Sequence, residues 1–215
     1  MRKRPKQERS SRTIKIIYQA VERVLDKFGL EGFNTNKLAE TSGFSTGTIY
    51  QYFSNKDSII NSMIVHYHDA TVERLVSYLK SADPCLVSAD ALINEFIARL
   101  LSEYLPEEKW RRILAPIGWA MDQDPRLVDG RIALAEGIFD VVDRYIDANE
   151  YRMKRVSREE VLVLVTSIAG CIRGVVFNGF IYDRDKLITT MQKIIFAILI
   201  NPTPSAEQIN QDIEL

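Results

Sequence analysis

Apolar residues recur at helical spacing along almost the whole chain, and strand-like alternation does not recur between turn residues. Ile14, Ile17, Val21, Val24, Leu25 and Phe28 step by 3, 4, 3, 1 and 3, which makes one apolar face. Gly29 follows where a left-handed C-terminal cap belongs. The fold predicted from this spacing is all-α. Boundary signals divide it into nine helices at 9–28, 35–42, 46–52, 55–81, 85–104, 107–122, 125–153, 157–181 and 184–200. Thr35 and Ser45 are candidate caps for two short helices, and Gly43 suits the turn between them. Ser54 with Asp57 resembles a capping box, and Ser157 with Glu160 is a true one. Asp83-Pro84 and Asp124-Pro125 each place proline behind a capping carboxylate, Pro106 marks a further start, and Asp183 opens the last helix. Residues 201–215 read as a polar tail.

A chain of 215 residues, 46% hydrophobic and 27% charged, can bury one sizeable core or a small domain joined to a larger one. Cys85 and Cys171 are too few for a disulfide-stapled scaffold. The first residues, MRKRPKQERSSR, have no apolar run behind their charges, so they do not read as a signal peptide, and a cytoplasmic protein is expected. Residues 161–181 are long and apolar enough to raise the question of a membrane span. Arg173, Asn178, Thr166, Ser167 and three glycines interrupt them, so a helix packed among protein neighbours is expected instead.

The net charge of −1 hides an asymmetry. Residues 1–57 carry a net +5 and the remainder −6. The surplus lies in residues 1–12, where Arg2, Lys3, Arg4, Lys6, Arg9 and Arg12 face Glu8 alone. Residues 13–57 are neutral, with five charges of each sign. A basic arm ahead of a neutral module suggests a polyanion partner, although a solvated tail has the same composition.

Two short helices joined at Gly43 have helix-turn-helix proportions. In that motif the second helix presents its N-terminal residues to base edges in the major groove. Here that helix offers Thr46, Gly47, Thr48, Tyr50, Gln51 and Tyr52, groups that reach phosphates or bases without burying a charge. Leu38, Ala39, Ile49 and Phe53 are expected to face the core behind it.

Residues 34–60 read NTNKLAETSGFSTGTIYQYFSNKDSII. Leu38-Ala39, Ser42-Gly43-Phe44-Ser45, Gly47-Thr48-Ile49-Tyr50, Tyr52-Phe53 and Asn55-Lys56-Asp57 make this run resemble the DNA-binding domain of the TetR family of bacterial regulators. By motif the resemblance covers residues 9 to about 60. It implies a DNA-binding transcriptional regulator, a repressor released from a palindromic operator by a small molecule. It also implies roles. Thr35 and Asn36 match positions that touch DNA at the start of the first helix. Thr46, Gly47 and Gln51 match positions that meet base edges. Thr48, Tyr50 and Tyr52 match positions that hold the backbone, Tyr52 standing where many members have His. Lys56 matches the family's phosphate-contacting lysine. Arg2, Lys3 and Arg4 are expected to follow DNA beside the motif.

The same resemblance implies a division into a basic flexible arm (1–8), a DNA-binding domain (9–54), an effector-binding and dimerisation region (55–200) and the tail. In the family the last two long helices pair across a homodimer. Ala169, Gly170 and Gly174 would allow close approach there, and Leu187, Met191, Ile194, Ile195 and Ile198 form a stripe that could equally be an intrachain core. Candidate lining for an apolar or aromatic effector is Tyr67, Phe96, Leu100, Tyr104, Trp110, Ile117, Trp119, Met121 and Phe139. Arg173, in an apolar helix, needs a partner, either a carboxylate across the dimer or an anionic ligand. An enzyme is not expected. His66 and His68 are two apart on a helix, no nucleophile elbow or phosphate loop occurs, and no cofactor or metal is expected. Cys171 is expected to be an inert thiol in an apolar setting. The competing reading within the same fold is a DNA-binding protein that works through a protein partner, without a small-molecule switch.

Overall fold

The computed structural model describes residues 4–105, 107–148, 153–178 and 183–201. Among these, nine helices follow in order: α1 (Arg4–Phe28), α2 (Thr35–Ser42), α3 (Thr46–Tyr50), α4 (Lys56–Ser81), α5 (Ala89–Tyr104), α6 (Lys109–Ala120), α7 (Pro125–Asp147), α8 (Arg158–Asn178) and α9 (Arg184–Leu199). The only extended pairing among the described residues is an isolated bridge between Met153 and Ile200. None of the described helices is long and apolar enough to cross a membrane.

The chain forms two compact units, Met1–Ala70 with Leu105–Leu127, and Thr71–Tyr104 with Val128–Leu215. In the first, α1 lays Ile17, Tyr18, Val21, Val24 and Leu25 against Leu38, Ile49, Phe53, Ile59 and Met63, all buried. The helix starts at Arg4 rather than residue 9. Its apolar stripe does not run to the end: Phe28 is 40% exposed, with the Lys37 ammonium 4.2 Å from its ring centroid. Gly29 then stops the helix at φ 67°, its N–H reaching Leu25 O at 2.9 Å.

Polar side chains tie this unit together. The Tyr18 hydroxyl lies 2.7 Å from Ser62 Oγ, and the Tyr67 hydroxyl donates to Glu22. The Tyr67 ring sits 4.8 Å from that of Trp110. Burial, followed by the hydrogen bond to Glu22, holds the Tyr67 phenol above its ordinary range. The start expected at Pro106 lies outside the described residues. The helix begins at Lys109, and Glu108 at its N-cap makes no side-chain capping bond. Asp26 of α1 replaces it, accepting the Trp110 N–H at 2.8 Å, while Lys109 Nζ donates to Asp26 O at 2.7 Å.

In the second unit α5 packs on α9. The helix expected from residue 85 begins at Ala89 instead. Asp83 holds a turn, taking the Cys85 N–H on its side chain at 2.9 Å, and the buried Tyr145 hydroxyl donates to Val87 O at 2.9 Å. That carbonyl is therefore occupied by a side chain, and Ser88 makes the cap, accepting the Ala91 N–H at 3.3 Å. The Arg144 guanidinium closes the far end of α4, donating to Leu79 O at 2.5 Å and Ala82 O at 2.8 Å. α7 ends at Asp147 rather than 153, because Met153 and Lys154 are extended and the Lys154 N–H reaches Leu199 O at 2.8 Å. The capping box at Ser157 and Glu160 forms as expected, with both reciprocal bonds, 2.7 and 3.1 Å.

α8 buries Val161, Leu164, Val165, Ile168 and Ile172. Its other face leaves Leu162 and Val163 exposed, at 44% and 62%, with Gly170, Cys171 and Arg173 also exposed. The apolar enclosure expected for Cys171 is thus absent within the chain.

Candidate nucleic-acid interface

The two short helices are set by local chemistry. Asn34, not Thr35, caps α2, its Oδ1 accepting the Lys37 N–H at 2.9 Å. Thr35 is the first helical residue, and its hydroxyl lies 3.2 Å from the Tyr50 hydroxyl. Gly43 ends α2 at φ 74°, a conformation that an L side chain rarely adopts, with its N–H on Ala39 O at 3.0 Å. Ser45 caps α3, its Oγ accepting the Thr48 N–H at 3.0 Å and meeting Thr48 Oγ1 at 2.9 Å.

This arrangement sorts the side chains of residues 45–53. Ile49 and Phe53 turn inward and are buried, and Leu38 and part of Ala39 meet them from α2. Gly47, Tyr50 and Gln51 are exposed, and Thr46 and Thr48 are half-buried. A side chain at Gly47 would meet only Ser45 Oγ, at 3.7 Å, so the backbone there is open to approach. Asn36 is exposed beside them. Tyr52 is partly buried against the core, so its ring serves packing as well as any outer contact. The exposed set is hydroxyls, a phenol, amides and a bare backbone, which can donate to phosphates and accept or donate at base edges.

Lys56 opens α4, with Nζ 3.4 Å from Leu30 O and 5.5 Å from the Phe33 ring centroid. The expected cap at Ser54 moves one residue on: Asn55 Oδ1 accepts the Ser58 N–H at 2.8 Å and Ser58 Oγ accepts the Asn55 N–H at 3.0 Å. The sequence reading missed Lys37, whose Nζ donates to Gly32 O at 2.9 Å beside Phe28. Its only signal was its position directly after Asn36. Arg2 and Lys3 lie outside the described residues, and Arg4 is the first residue of α1.

The candidate effector residues divide between the units. Trp110, Ile117 and Met121 pack with Tyr67 against the first unit's core, and Trp119 is half-buried. In the second unit Phe96 and Leu100 are buried. Burial raises the Tyr104 phenol to about 12, with the Glu103 charge adding to this and Arg131 opposing it. Phe139 is half-buried beneath the Arg158 guanidinium, 4.4 Å from its centroid, and Arg173 is exposed. An open polar groove of about 540 Å³ on this unit is lined by Glu73, Arg74, Ser77, Tyr78, Ser81 and Arg99 instead. The candidate dimer residues also divide. Met191 and Ile195 are buried within the chain. Ala169, Gly174, Leu187, Ile194 and Ile198 are half-buried and Gly170 exposed. Among the described residues no three His, Cys, Asp or Glu side chains gather as a metal site.

Residues 17–63 match the model of the N-terminal domain of bacterial regulatory proteins of the tetR family. That span holds α2, α3 and the first turns of α4. No curated protein matches the chain at a significant level. Solved structures share its fold at low identity. The transcriptional regulator FadR from Bacillus subtilis, in complex with stearoyl-CoA, superposes at a TM-score of 0.62 with 17% identity, over 85% of this chain and 97% of that one. SmeT, the repressor of the Stenotrophomonas maltophilia multidrug efflux pump SmeDEF, gives 0.62 with 12% identity, over 90% and 94%. A TetR family transcription regulator from Marinobacter aquaeolei VT8 gives 0.55 with 12% identity, over 91% and 100%. Residues 17–63, with the capped helix-turn-helix, are thus similar to the N-terminal domain of the tetR family of bacterial regulatory proteins, and the chain as a whole shares the helical fold of these solved structures.

Proposed function

We propose that the chain is a homodimeric repressor that leaves a palindromic DNA operator when a small, largely apolar or aromatic effector binds its helical region. The observation that carries this reading is the surface of α2 and α3. Gly43 and Ser45 fix the turn, Ile49 and Leu38 anchor it, and Thr46, Gly47, Tyr50 and Gln51 are left at or near the surface. Thr46, Gly47 and Gln51 read base edges. Thr35, Asn36, Thr48, Tyr50, Tyr52 and Lys56 hold the phosphate backbone. The arm with Arg2, Lys3 and Arg4 follows the adjacent minor groove. A palindromic site needs two recognition helices one DNA turn apart, and a two-fold dimer supplies them. The outward face of α8, with Leu162, Val163, Gly170 and Gly174, offers the apolar surface for that dimer. The effector assignment draws on FadR, a protein of the same fold solved with stearoyl-CoA, and SmeT, a repressor of the same fold.

The test is to select duplexes from a random pool with the purified protein. A two-fold-symmetric sequence is expected. The selected duplex is then challenged with long-chain acyl thioesters and with planar aromatic compounds, and release by one of these classes is expected. Symmetric binding with no responsive ligand would favour the partner-protein mode. Absence of sequence preference would sink the operator reading.

A further inference from the structure

We propose that the outward face of α1 is a second phosphate-binding track, which takes duplex DNA flanking the stretch met by α2 and α3. The proposal rests on the DNA-binding reading above. α1 exposes Arg9, Arg12, Lys15, Arg23 and Lys27. At 100° per residue these five, with Gln19 in the gap, fall within about a third of the helix circumference. At 1.5 Å per residue the row is about 27 Å long.

The helix offsets its own row only in part. Between residues 9 and 28 the carboxylates are Glu22 and Asp26. Glu22 accepts the Tyr67 hydroxyl, and Asp26 accepts the Trp110 N–H. Both are thus engaged in holding α4 and α6 to α1. None of the five cations makes an ion pair among the described residues. Both carboxylates keep their charge, and Asp26 is exposed within the same third of the circumference, so the neutral balance of residues 13–57 hides a stripe of five cations offset there by one carboxylate.

The row also joins the recognition surface. The Lys27 and Lys37 ammonium groups lie 5.0 and 4.2 Å from the same Phe28 ring centroid. Lys37 directly follows Asn36, one of the proposed DNA contacts. Cations thus run from the edge of α2 along α1, interrupted at Gln19. A straight, predominantly positive row along one helix, five cations to the one exposed carboxylate of Asp26, suits a polyanion of regular spacing better than a compact anion, which would need converging donors. Duplex DNA has that regularity, and a basic stripe along one helix face is its usual electrostatic counterpart.

The test uses the full chain and random-sequence duplexes of two lengths, titrated across a range of salt. One is about 16 base pairs, enough for two half-sites one turn apart, and the other about 40. The variant combines Arg12→Gln, Lys15→Gln, Arg23→Gln and Lys27→Gln, which keeps good helix formers at exposed positions. On the long duplex the variant is expected to bind about tenfold or more weakly, with a salt slope lower by about 2–4. On the short duplex it is expected to match the wild type. A second variant, Lys15→Arg with Lys27→Arg, is expected to bind like the wild type on both. If the quadruple variant matched the wild type on the long duplex at every salt concentration, the track would be wrong. An equal loss on both lengths would place these cations inside the half-site contact and overturn the flanking assignment. A wild-type chain that bound neither duplex would sink the DNA-binding reading along with it. Unchanged DNA binding together with lost binding to polyglutamate would reassign the row to an acidic protein.

Discussion

Lys56 stands at the first turn of α4 with its ammonium 3.4 Å from Leu30 O, so it braces the loop between α1 and α2, and it is the residue proposed above to hold a phosphate. Lys56→Ala should weaken binding to all duplex sequences about equally and lower the salt slope by about 0.9, one phosphate's worth. Loss of the brace should cost the fold only about 0.5–1.5 kcal/mol. Thr46→Ala or Gln51→Ala should change sequence preference with the slope preserved. Titrations of two unrelated duplexes across salt separate these effects, and an unchanged slope for Lys56→Ala would remove its phosphate role. The chemistry at this scale was legible, but its register was less so. Thr35 and Ser54 read as caps, whereas Asn34 and Asn55 do the capping. Either neighbour has a suitable oxygen. The choice depends on which residue becomes the first helical one, and that is fixed by burying Leu38 and Ile59 in the core. Ser45 also has a competitor, Thr46, but there burial of Ile49 sets the register so that the expected cap forms.

Helix ends that depend on distant residues were beyond the reach of sequence reading. The expectation at Ser157 and Glu160 succeeded because both halves of the box lie within one turn. Asp83-Pro84 instead closes a turn, with Asp83 O accepting the Leu86 and Val87 N–H groups, and Tyr145, on α7, ties Val87 O to a distant helix. The start of α6 is the clearest case, since its cap is Asp26, 84 residues earlier in the chain. This leads to a prediction in which the nominal cap and the working cap differ. Asp26→Ala should destabilise the protein by about 0.5–2 kcal/mol, the usual cost of losing an N-cap. Glu108→Ala, at the formal N-cap, should lie within about 0.5 kcal/mol of wild type, as surface changes away from special features do. Denaturant unfolding of the two variants decides the matter, and the reverse order would show that Asp26 is not the cap that counts. The same dependence on tertiary partners explains Phe28. Its spacing put it in the core, but Gly29 ends the helix there, and the ring instead lies under Lys37.

For the whole molecule, fold class was legible because it follows from local periodicity, and the turn between α2 and α3 because Gly43 and Ser45 are local signals. The proposed effector residues have no such local signal. Aromatics at helical spacing look the same whether they fill a core or line a cavity, and the Trp110 and Tyr67 rings pack against each other in a tilted arrangement. The proposed dimer residues divide between the inside and the surface of the chain. The stripe on α9 is partly internal, with Met191 and Ile195 buried, while α8 has an apolar outward face. A Cβ at Gly170 would meet nothing within 4 Å in the chain, so Gly170→Leu should leave the isolated chain's fold intact and obstruct close approach of a second copy. Sedimentation should then show monomer with unchanged helix content, and a variant that remained dimeric would move the interface elsewhere. The switch needs one element shared between operator and effector, and α4 contributes its first half to one compact unit and its second half to the other. Lys56 lies in its first turn, and Arg144 holds the carbonyls of its last turn through charge-assisted hydrogen bonds. If α4 carries the signal, the effector must prefer the DNA-free form by the same factor with which it releases DNA, typically 5–150-fold, or about 1–3 kcal/mol. Spin labels on the two copies of α3 should report about 34–36 Å in the DNA-competent dimer and a different spacing once effector binds. Arg144→Ala should keep operator affinity without effector, because no proposed DNA contact is touched. It should also blunt release, because the second end of α4 would no longer follow α7. An effector that released wild type and Arg144→Ala equally, with the same change in spacing, would sink α4 as the route and leave the coupling to another helix.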